Sequence, residues 1–191
     1  VMDLGCGPGD LCEVVVSAGY DYVGVDVSPD MLTLARQRHP RGRFEQGSAF
    51  DLPDAGPARA IVAIGEVINY AGDPRSGVTG LHQWLRACRQ ALGPGGILLD
   101  DVAGPLRADP RPATTHYTGE DYRMEVTIST DPARRLLTRA IRVIDAEGEE
   151  AETHQLELID PLEVLAALRW AGFEATPLPG YTEDLPLPRG W

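Results

Sequence analysis

The sequence predicts an α/β fold: a doubly wound, mostly parallel sheet that carries an antiparallel β insert. Three observations predict it. Over the first hundred residues, short apolar runs alternate with helix-period segments, as strands joined by crossover helices do. A glycine cluster, Gly5-Cys6-Gly7-Pro8-Gly9, stands between the first apolar run and the first helical segment, where a tight turn lets backbone approach a ligand closely. Beyond residue 104 the period becomes two. Met124, Val126 and Ile128, then Leu137, Ile141 and Val143, then Leu156 and Leu158 alternate with other residues, as in half-buried strands.

Each element has its own signal. Residues 1–4 read as the end of a buried strand, and Asp10 is expected to cap the first helix, with Glu13 closing a capping box. A second strand over 22–25 ends at Asp26. Ser28 and Pro29 suit the N-cap and first turn of the next helix, which carries Arg36 and Arg38 in its last turn and stops before Pro40. A third strand is expected over 43–46 and a fourth over 60–64, apolar throughout like strands covered on both faces. Leu81, Leu85, Cys88 and Leu92 form one helical stripe, ended by Gly93-Pro94. Ile97-Leu98-Leu99 reads as the fifth strand, leading into Asp100 and Asp101. Turn signals at Thr130-Asp131-Pro132 and Asp145-Ala146-Glu147-Gly148 cut the alternating stretch into three antiparallel strands, roughly 121–159, with one face buried. A capping box at Asp160-Pro161-Leu162-Glu163 opens a helix that runs to 171, and 173–178 reads as a sixth strand. The expected organisation is a core over 1–104, an insert over 105–159 and a return to the core over 160–191.

Composition narrows the chemistry. The chain has 191 residues, enough for one ordinary domain. It carries 17 basic and 29 acidic residues, a formal charge of −12. All the basic residues are arginine. Without lysine there is no Schiff-base or pyridoxal-phosphate enzyme and no phosphate loop with its lysine. The acidic balance argues against a nucleic-acid partner, which requires a basic stripe. Cys6, Cys12 and Cys88 form no CxxC pair, so neither a metal site nor a disulfide framework is expected, and a reducing, cytoplasmic setting is. No apolar run approaches 18 residues, so no membrane span is expected. There is no signal-peptide pattern, and the chain opens on Val1.

The glycine cluster selects among ligands by charge. A dinucleotide fingerprint needs G-x-G-x-x-G, but here the third glycine comes one residue early, with Asp10 at the helix mouth. Asp3 and Asp10 would both face a pyrophosphate, where negative charge is wanted least. A ligand bearing an ammonium and a sulfonium meets no such conflict. That favours S-adenosylmethionine over NAD.

With these residues in hand, the chain resembles the class I S-adenosylmethionine-dependent methyltransferases, small-molecule type with a β-lid. Val1-Met2-Asp3-Leu4-Gly5-Cys6-Gly7-Pro8-Gly9 matches their first motif, and Asp26, in Val25-Asp26-Val27-Ser28-Pro29, matches their ribose-binding acid. Gly47-Ser48-Ala49-Phe50-Asp51-Leu52-Pro53 is similar to the segment that lines adenine. Ile64-Gly65-Glu66-Val67-Ile68-Asn69-Tyr70 is similar to the fourth-strand end, beside methionine and substrate. Leu92-Gly93-Pro94-Gly95-Gly96 is similar to the turn into strand five. The resemblance covers 1–104 closely and 150–180 loosely. It implies a Rossmann-like methyltransferase fold with cofactor contacts at Asp3, Gly5, Cys6, Gly7, Asp26, Val27, Met31, Ser48, Ala49, Phe50 and Gly65. Three departures stand out. Ser48 replaces the acid usual after the glycine at 47, no helices precede the first strand, and Arg189-Gly190-Trp191 reads as the approach to a last strand. The sequence reads as cut at both ends.

Several residues carry two readings. Asp26 either binds ribose or precaps the next helix, and Asp3 is either a cofactor ligand or a solvated strand-end acid. Met31 and Phe50 pack on adenine or in the core. Glu66, Asn69, Tyr70 and Asp101 gather at carboxyl ends of strands, where substrates bind, though any of them can also cap a helix. His154 lies on an alternating strand, as a substrate contact or as a structural residue. His39, His82 and His116 read as structural, and Arg134 and Arg135 as solvated at a hairpin turn.

The expected function is methyl transfer to a nitrogen or oxygen of a small molecule, with His154, Glu66, Asp101 and Tyr70 as candidate catalytic groups. The apolar face of the insert must fold over the carboxyl end of the sheet, which makes it the lid of the acceptor pocket, His154 inward. The rival readings are a cofactor-binding module without catalysis and an NAD-dependent oxidoreductase.

Overall fold

The computed structural model describes residues 1–105 and 111–178. Its larger sheet is parallel, in the order β3-β2-β1-β4-β5. The strands are β1 (Met2–Leu4), β2 (Val23–Asp26), β3 (Arg43–Gln46), β4 (Ala58–Ala63) and β5 (Leu92–Asp100). Helices α1 (Asp10–Ser17), α2 (Pro29–Arg38) and α3 (Gly77–Ala91) follow β1, β2 and β4. The strand order therefore reverses between β1 and β4, the switch point at which open α/β sheets hold ligands.

Period-two residues give the sheet two apolar faces. Met2, Leu4, Val23, Val25, Ile61 and Ala63 pack with Leu81, Trp84, Leu85 and Cys88 of α3 and with Val164 and Ala167 of α4 (Pro161–Trp170). Cys12, Val15, Leu32 and Ala35 of α1 and α2 form a second cluster with Tyr22 and Phe44. A fully buried Leu or Ile contributes roughly 1.5–3 kcal/mol, so these clusters supply most of the drive to fold.

Four local expectations need correction. Gly9, not Asp10, is the N-cap of α1, in a left-handed conformation and without a side-chain cap. Asp10 is the first helical residue, and its carboxylate pairs with Arg38 at 3.7 Å. The stripe of α3 stops at Cys88, because Leu92 already begins β5. Gly93 to Gly96 bulge out of the ladder, so that Ala58 pairs with Leu92 and Ala60 with Ile97. Residues 173–178 form no strand. Residues 189–191 lie outside the described residues. By contrast, Ser28 accepts from the Met31 amide and Asp160 forms the full capping box with Glu163.

The insert is a second, antiparallel sheet with one strand more than expected: β6 (Ala113–Thr118), β7 (Tyr122–Asp131), β8 (Leu136–Asp145) and β9 (Glu149–Glu157), in that order. The extra strand, ATTHYT, is exposed along its length and lacks the apolar alternation that would reveal it. One face of this sheet carries Ile128, Leu137, Arg139, His154 and Leu156, since Leu137 pairs with Leu156 and Arg139 with both His154 and Ile128. At its base Leu137, Leu156 and Leu158 pack with Ala103 and Tyr70.

The insert is fastened to the core through Asn69, in the short 3-10 turn after β4. Its side chain is fully buried. Nδ2 donates to the Glu157 carbonyl at 2.5 Å and to the Ala103 carbonyl at 3.2 Å, while Oδ1 accepts from the Ala103 amide at 3.1 Å. Ala71 donates to the Gln155 carbonyl, and Tyr70 bridges Leu156. Thus the turn after β4 is itself an edge of the insert.

Two expectations follow. Asn69→Ala leaves the Glu157 carbonyl and the Ala103 amide without this partner, while the Ala103 carbonyl keeps the Ile159 amide; each lost partner costs roughly 1–3 kcal/mol when uncompensated. Unfolding in urea should show a loss of about 2–4 kcal/mol; a loss near zero would mean the fastening lies elsewhere. The second concerns Asp100, partly buried at the end of β5, where burial and the Asp101 charge push its carboxyl up from 3.8 to about 6. A raised folded value stabilises fully below pH 4, and that stabilisation is lost as pH rises through about 6. Asp100→Asn should therefore raise the melting temperature at pH 7 and leave it unchanged near pH 4. An equal gain at both pH values would rule out titration of Asp100 as the cause.

Candidate functional site

The loop after β1 is shaped by two glycines. At Gly5 (φ 73°) a Cβ would sit 2.6 Å from the Val67 side chain, so no larger residue fits. Gly7 (φ 51°) has nothing within 4 Å of where its Cβ would be, so the backbone there is open to a neighbour. The loop is sewn to the end of β2. The amides of Gly5 and Cys6 both donate to the Val25 carbonyl, at 2.7 and 3.0 Å. The Gly7 amide donates to Asp26 Oδ2 at 2.8 Å, and Ser28 donates to Asp26 Oδ1 at 2.9 Å. Asp26 thus precaps α2 and braces the glycine loop together. A carboxylate has about four acceptor sites; two are used here. Just beyond it, Val27 and Met31 are 67% and 45% exposed, an apolar ledge at the carboxyl end of β2.

Beneath the loop lies a buried acid. Asp3 accepts from the Tyr22 hydroxyl at 2.7 Å. Burial pushes its carboxyl up against the lowering effect of that bond, and the charges of Asp26 and Asp10 push the same way. Cys6 turns its side chain into the α1/α2 cluster. Burial, with Asp3 and Asp26 nearby, pushes its thiol up to about 12, so it is no nucleophile, and its amide is already taken by Val25.

On the other side of Asp26, Ser48 donates to Asp73 Oδ2 at 2.6 Å and accepts from the Phe50 amide at 3.1 Å. The Ala49 carbonyl takes the Trp84 indole hydrogen bond at 3.0 Å. Arg75 binds Asp51 at 2.7 and 3.0 Å and Asp73 at 2.9 Å, and lies 5.3 Å above the Phe50 ring. Its bonds, with that of Ser48, hold Asp73 well below the usual carboxylate range. Sequence reasoning missed this arginine, which lies in a loop without periodicity. The carboxylate absent at position 48 is supplied next to Ser48 by Asp73.

The end of β4 is the most constrained part of the site. Gly65 (φ 101°) and Glu66 (φ 61°) are both left-handed, and at Glu66 that conformation is strained. Asp101 Oδ1 accepts from both their amides, each at 2.8 Å. The Glu66 side chain, 4% exposed, meets Arg139 Nη2 at 2.6 Å. Tyr70 turns its ring toward His154, centroids 5.6 Å apart and edge to face, and His154 Nε2 lies 2.9 Å from Glu152 Oε2. So all four candidate catalytic residues converge, but Glu66 and Asp101 are engaged in holding the turn. His82 packs on Trp170 and His116 lies 3.5 Å from Glu125, away from this cluster. Among the described residues, no group of three or more His, Cys, Asp or Glu side chains is placed to hold a metal ion, and no helix is long and apolar enough to cross a membrane.

Comparison with known proteins identifies the family. The family profile described as a methyltransferase domain matches residues 1–96. The chain is 28% identical over 196 aligned residues to a ubiquinone biosynthesis O-methyltransferase of Azorhizobium caulinodans, covering all of this chain and 64% of that protein. It thus spans less than two thirds of that relative. Among solved structures it is similar to DesVI of Streptomyces venezuelae, with TM-score 0.78 at 22% identity, covering 94% of this chain and 77% of that one. It is also similar to the sugar N-methyltransferase KedS8 of a Streptoalloteichus species, with TM-score 0.76 at 25% identity, covering 99% and 76%. With half of its length matched by the family profile, the chain belongs to the methyltransferase-domain family.

Proposed function

We propose that the chain transfers a methyl group from S-adenosylmethionine to a nitrogen or oxygen of a small molecule. The observation that carries this reading is the crevice at the switch point, where Asp26 braces the open backbone at Gly7 beside the exposed Val27 and Met31. The donor set fits the cofactor. The two acceptor sites left on Asp26 suit two ribose hydroxyls, and Val27 and Met31 offer a face for adenine. Ser48 and Asp73 are the groups we assign to the adenine edge, and Asp3 suits the ammonium end. Asp10 adds less than its position suggests, since it reaches Arg38; Asp3 and Asp26 alone oppose a pyrophosphate. The similarity to an O-methyltransferase and to a sugar N-methyltransferase supports a small acceptor.

When bound, the cofactor supplies the electrophilic methyl. What the chain adds is alignment and exclusion of water. The insert, anchored through Asn69, folds its Arg139–His154 face over the ends of β4 and β5 as a lid. His154 is the group we assign to remove a proton from the acceptor where one must leave. A carboxylate only accepts, so a hydrogen bond to Glu152 places the proton on Nε2 and the basic lone pair on Nδ1. Glu66 and Asp101 act as positioning groups.

Calorimetry tests the cofactor assignment. The wild type should bind S-adenosylmethionine and adenosylhomocysteine but not NADH. Asp26→Ala should weaken the first two by at least about a hundredfold, the loss of two charge-assisted bonds of about 1.5–3 kcal/mol each. NADH binding with silence from the others would overturn it. Catalysis is tested by adenosylhomocysteine release across amines, phenols, sugars and thiols; no release from any would leave a binding module. On the best acceptor, His154→Ala should lower turnover sharply while adenosylhomocysteine affinity stays within about twofold, as expected of a residue acting in the chemical step. Unchanged turnover would remove His154 as the base.

A further inference from the structure

We infer that Tyr22 is a positioning residue that holds the Asp3 carboxylate ready for the ammonium group of the cofactor. The inference rests on the reading of the crevice as an S-adenosylmethionine site. Asp3, in the middle of β1, is 7% exposed. Its Oδ2 accepts from the Tyr22 hydroxyl at 2.7 Å, and among the described residues that hydroxyl is its one hydrogen-bond partner. A carboxylate has about four acceptor sites, and burying one with so few of them filled is costly. The charges acting on Asp3 come from Asp26 and Asp10, both of its own sign. An ammonium brings donors only, and the opposite charge. It is the group that this carboxylate lacks.

Tyr22 has little freedom to move. It is 6% exposed and lies in the cluster formed by α1 and α2, its ring edge to face on Phe44 with centroids 5.6 Å apart. Gly24 makes the room for its hydroxyl. That glycine stands opposite Asp3 in the β1–β2 ladder, and a Cβ there would lie 2.9 Å from the Tyr22 oxygen and 2.7 Å from Cys6 Sγ. Glycine inside a strand often marks such a close approach. Burial and the Asp3 charge push the phenol far up, so the hydroxyl keeps its proton and donates it. With Oδ2 fixed in this way, the carboxylate cannot turn into the apolar cluster, and its remaining acceptor sites stay beneath the glycine loop. In the sequence Tyr22 reads only as the start of a strand, 19 positions from Asp3.

The groups facing Asp3 are Tyr22 from the approach to β2, Cys6 from the glycine loop, Asp26 at the end of β2, and Asp10 and Cys12 from α1. Burial raises the Asp3 carboxyl and the Tyr22 bond lowers it. Only the ionised form attracts an ammonium, so affinity for adenosylhomocysteine should fall as pH drops through the Asp3 value. In Tyr22→Phe that fall should begin at higher pH, because the lowering bond is gone. Near neutral pH the variant should bind adenosylhomocysteine at least about tenfold more weakly, as on losing a hydrogen bond to a charged group. It should bind 5′-methylthioadenosine, which lacks the amino-acid end, within about twofold of the wild type. Asp3→Asn should show the same selectivity and lose the pH dependence. Calorimetry with both ligands across a pH series reads all of this. Equal losses for the two ligands in Tyr22→Phe, or a pH profile like that of the wild type, overturn the inference; so does an Asp3→Asn that binds adenosylhomocysteine normally. If Tyr22→Phe fails to fold, 3-fluorotyrosine at position 22 decides. As a stronger donor it should move the fall to lower pH, and an unmoved profile overturns the inference. Silence from both ligands in the wild type overturns the cofactor reading, and the inference with it.

Discussion

The side-chain amide of Asn69 makes three bonds to main chain that belongs to two other segments, the exit of β5 at Ala103 and the end of β9 at Glu157. Each of those segments would otherwise carry unpaired peptide groups into a buried place, and such groups are costly. With the amide in place, the turn after β4 becomes continuous with the insert through the Tyr70–Leu156 bridge. The position of the insert over the sheet, and hence the meeting of Tyr70, His154, Arg139 and Glu66, depends on it. Leu137, Leu156 and Leu158 add apolar burial around it, but burial has no direction. The amide supplies the register.

A strained turn sits next to that anchor, and magnitudes show how it persists. A left-handed residue with a side chain costs about 1–2 kcal/mol, and Glu66 is one. Against this stand two bonds from backbone amides to the Asp101 carboxylate, each worth about 1.5–3 kcal/mol when one partner is charged. The bonds exceed the strain. The excess leaves Glu66 aimed at Arg139 instead of along the strand. Strain of this kind gathers where a chain must place a group that regular structure would misdirect, and here it lies at the carboxyl end of β4, beside the switch point.

The five parallel strands were legible because their residues obey local rules. Apolar runs bounded by glycine, proline or acid gave β1, β2, β4 and β5, while β3 has only Phe44 as an apolar residue; the Ser28 and Asp160 caps lie where their side chains demand. Errors arose where a local signal met a tertiary competitor. Asp10 has the spacing of a capping box, yet Gly9 takes the left-handed cap position and Arg38 draws the carboxylate away. The polar strand β6 carries no period because, among the described residues, nothing covers it; its pairing with β7 holds it in place. Asp26 showed the opposite case. Ribose acid and helix precap were posed as alternatives, but its hydrogen bonds leave room for both. Asn69, Arg139 and the Arg75–Asp51 pair were invisible because each acts across a long separation, the Arg139–Glu66 pair spanning 73 positions.

The absence of lysine joins these points. Three arginines do work that a point charge on a flexible stem would do poorly. Arg75 grips Asp51 through Nη1 and Asp73 through Nε, with Nη2 shared between them, while lying over Phe50. Arg135 reaches both Glu163 oxygens and the Leu158 carbonyl, which ties the β7–β8 turn to the start of α4. Arg139, across the ladder from His154, meets the buried Glu66 carboxylate. For Arg75 and Arg135 the planar fork fixes two partners at once, a geometry an ammonium does not impose. The third differs from the others in its surroundings. Exposed pairs such as that of Arg135 are screened and contribute little, whereas Glu66 is almost wholly enclosed, and a buried carboxylate without its cation is strongly destabilised. The Arg139 pair therefore holds the insert in one orientation against the turn after β4.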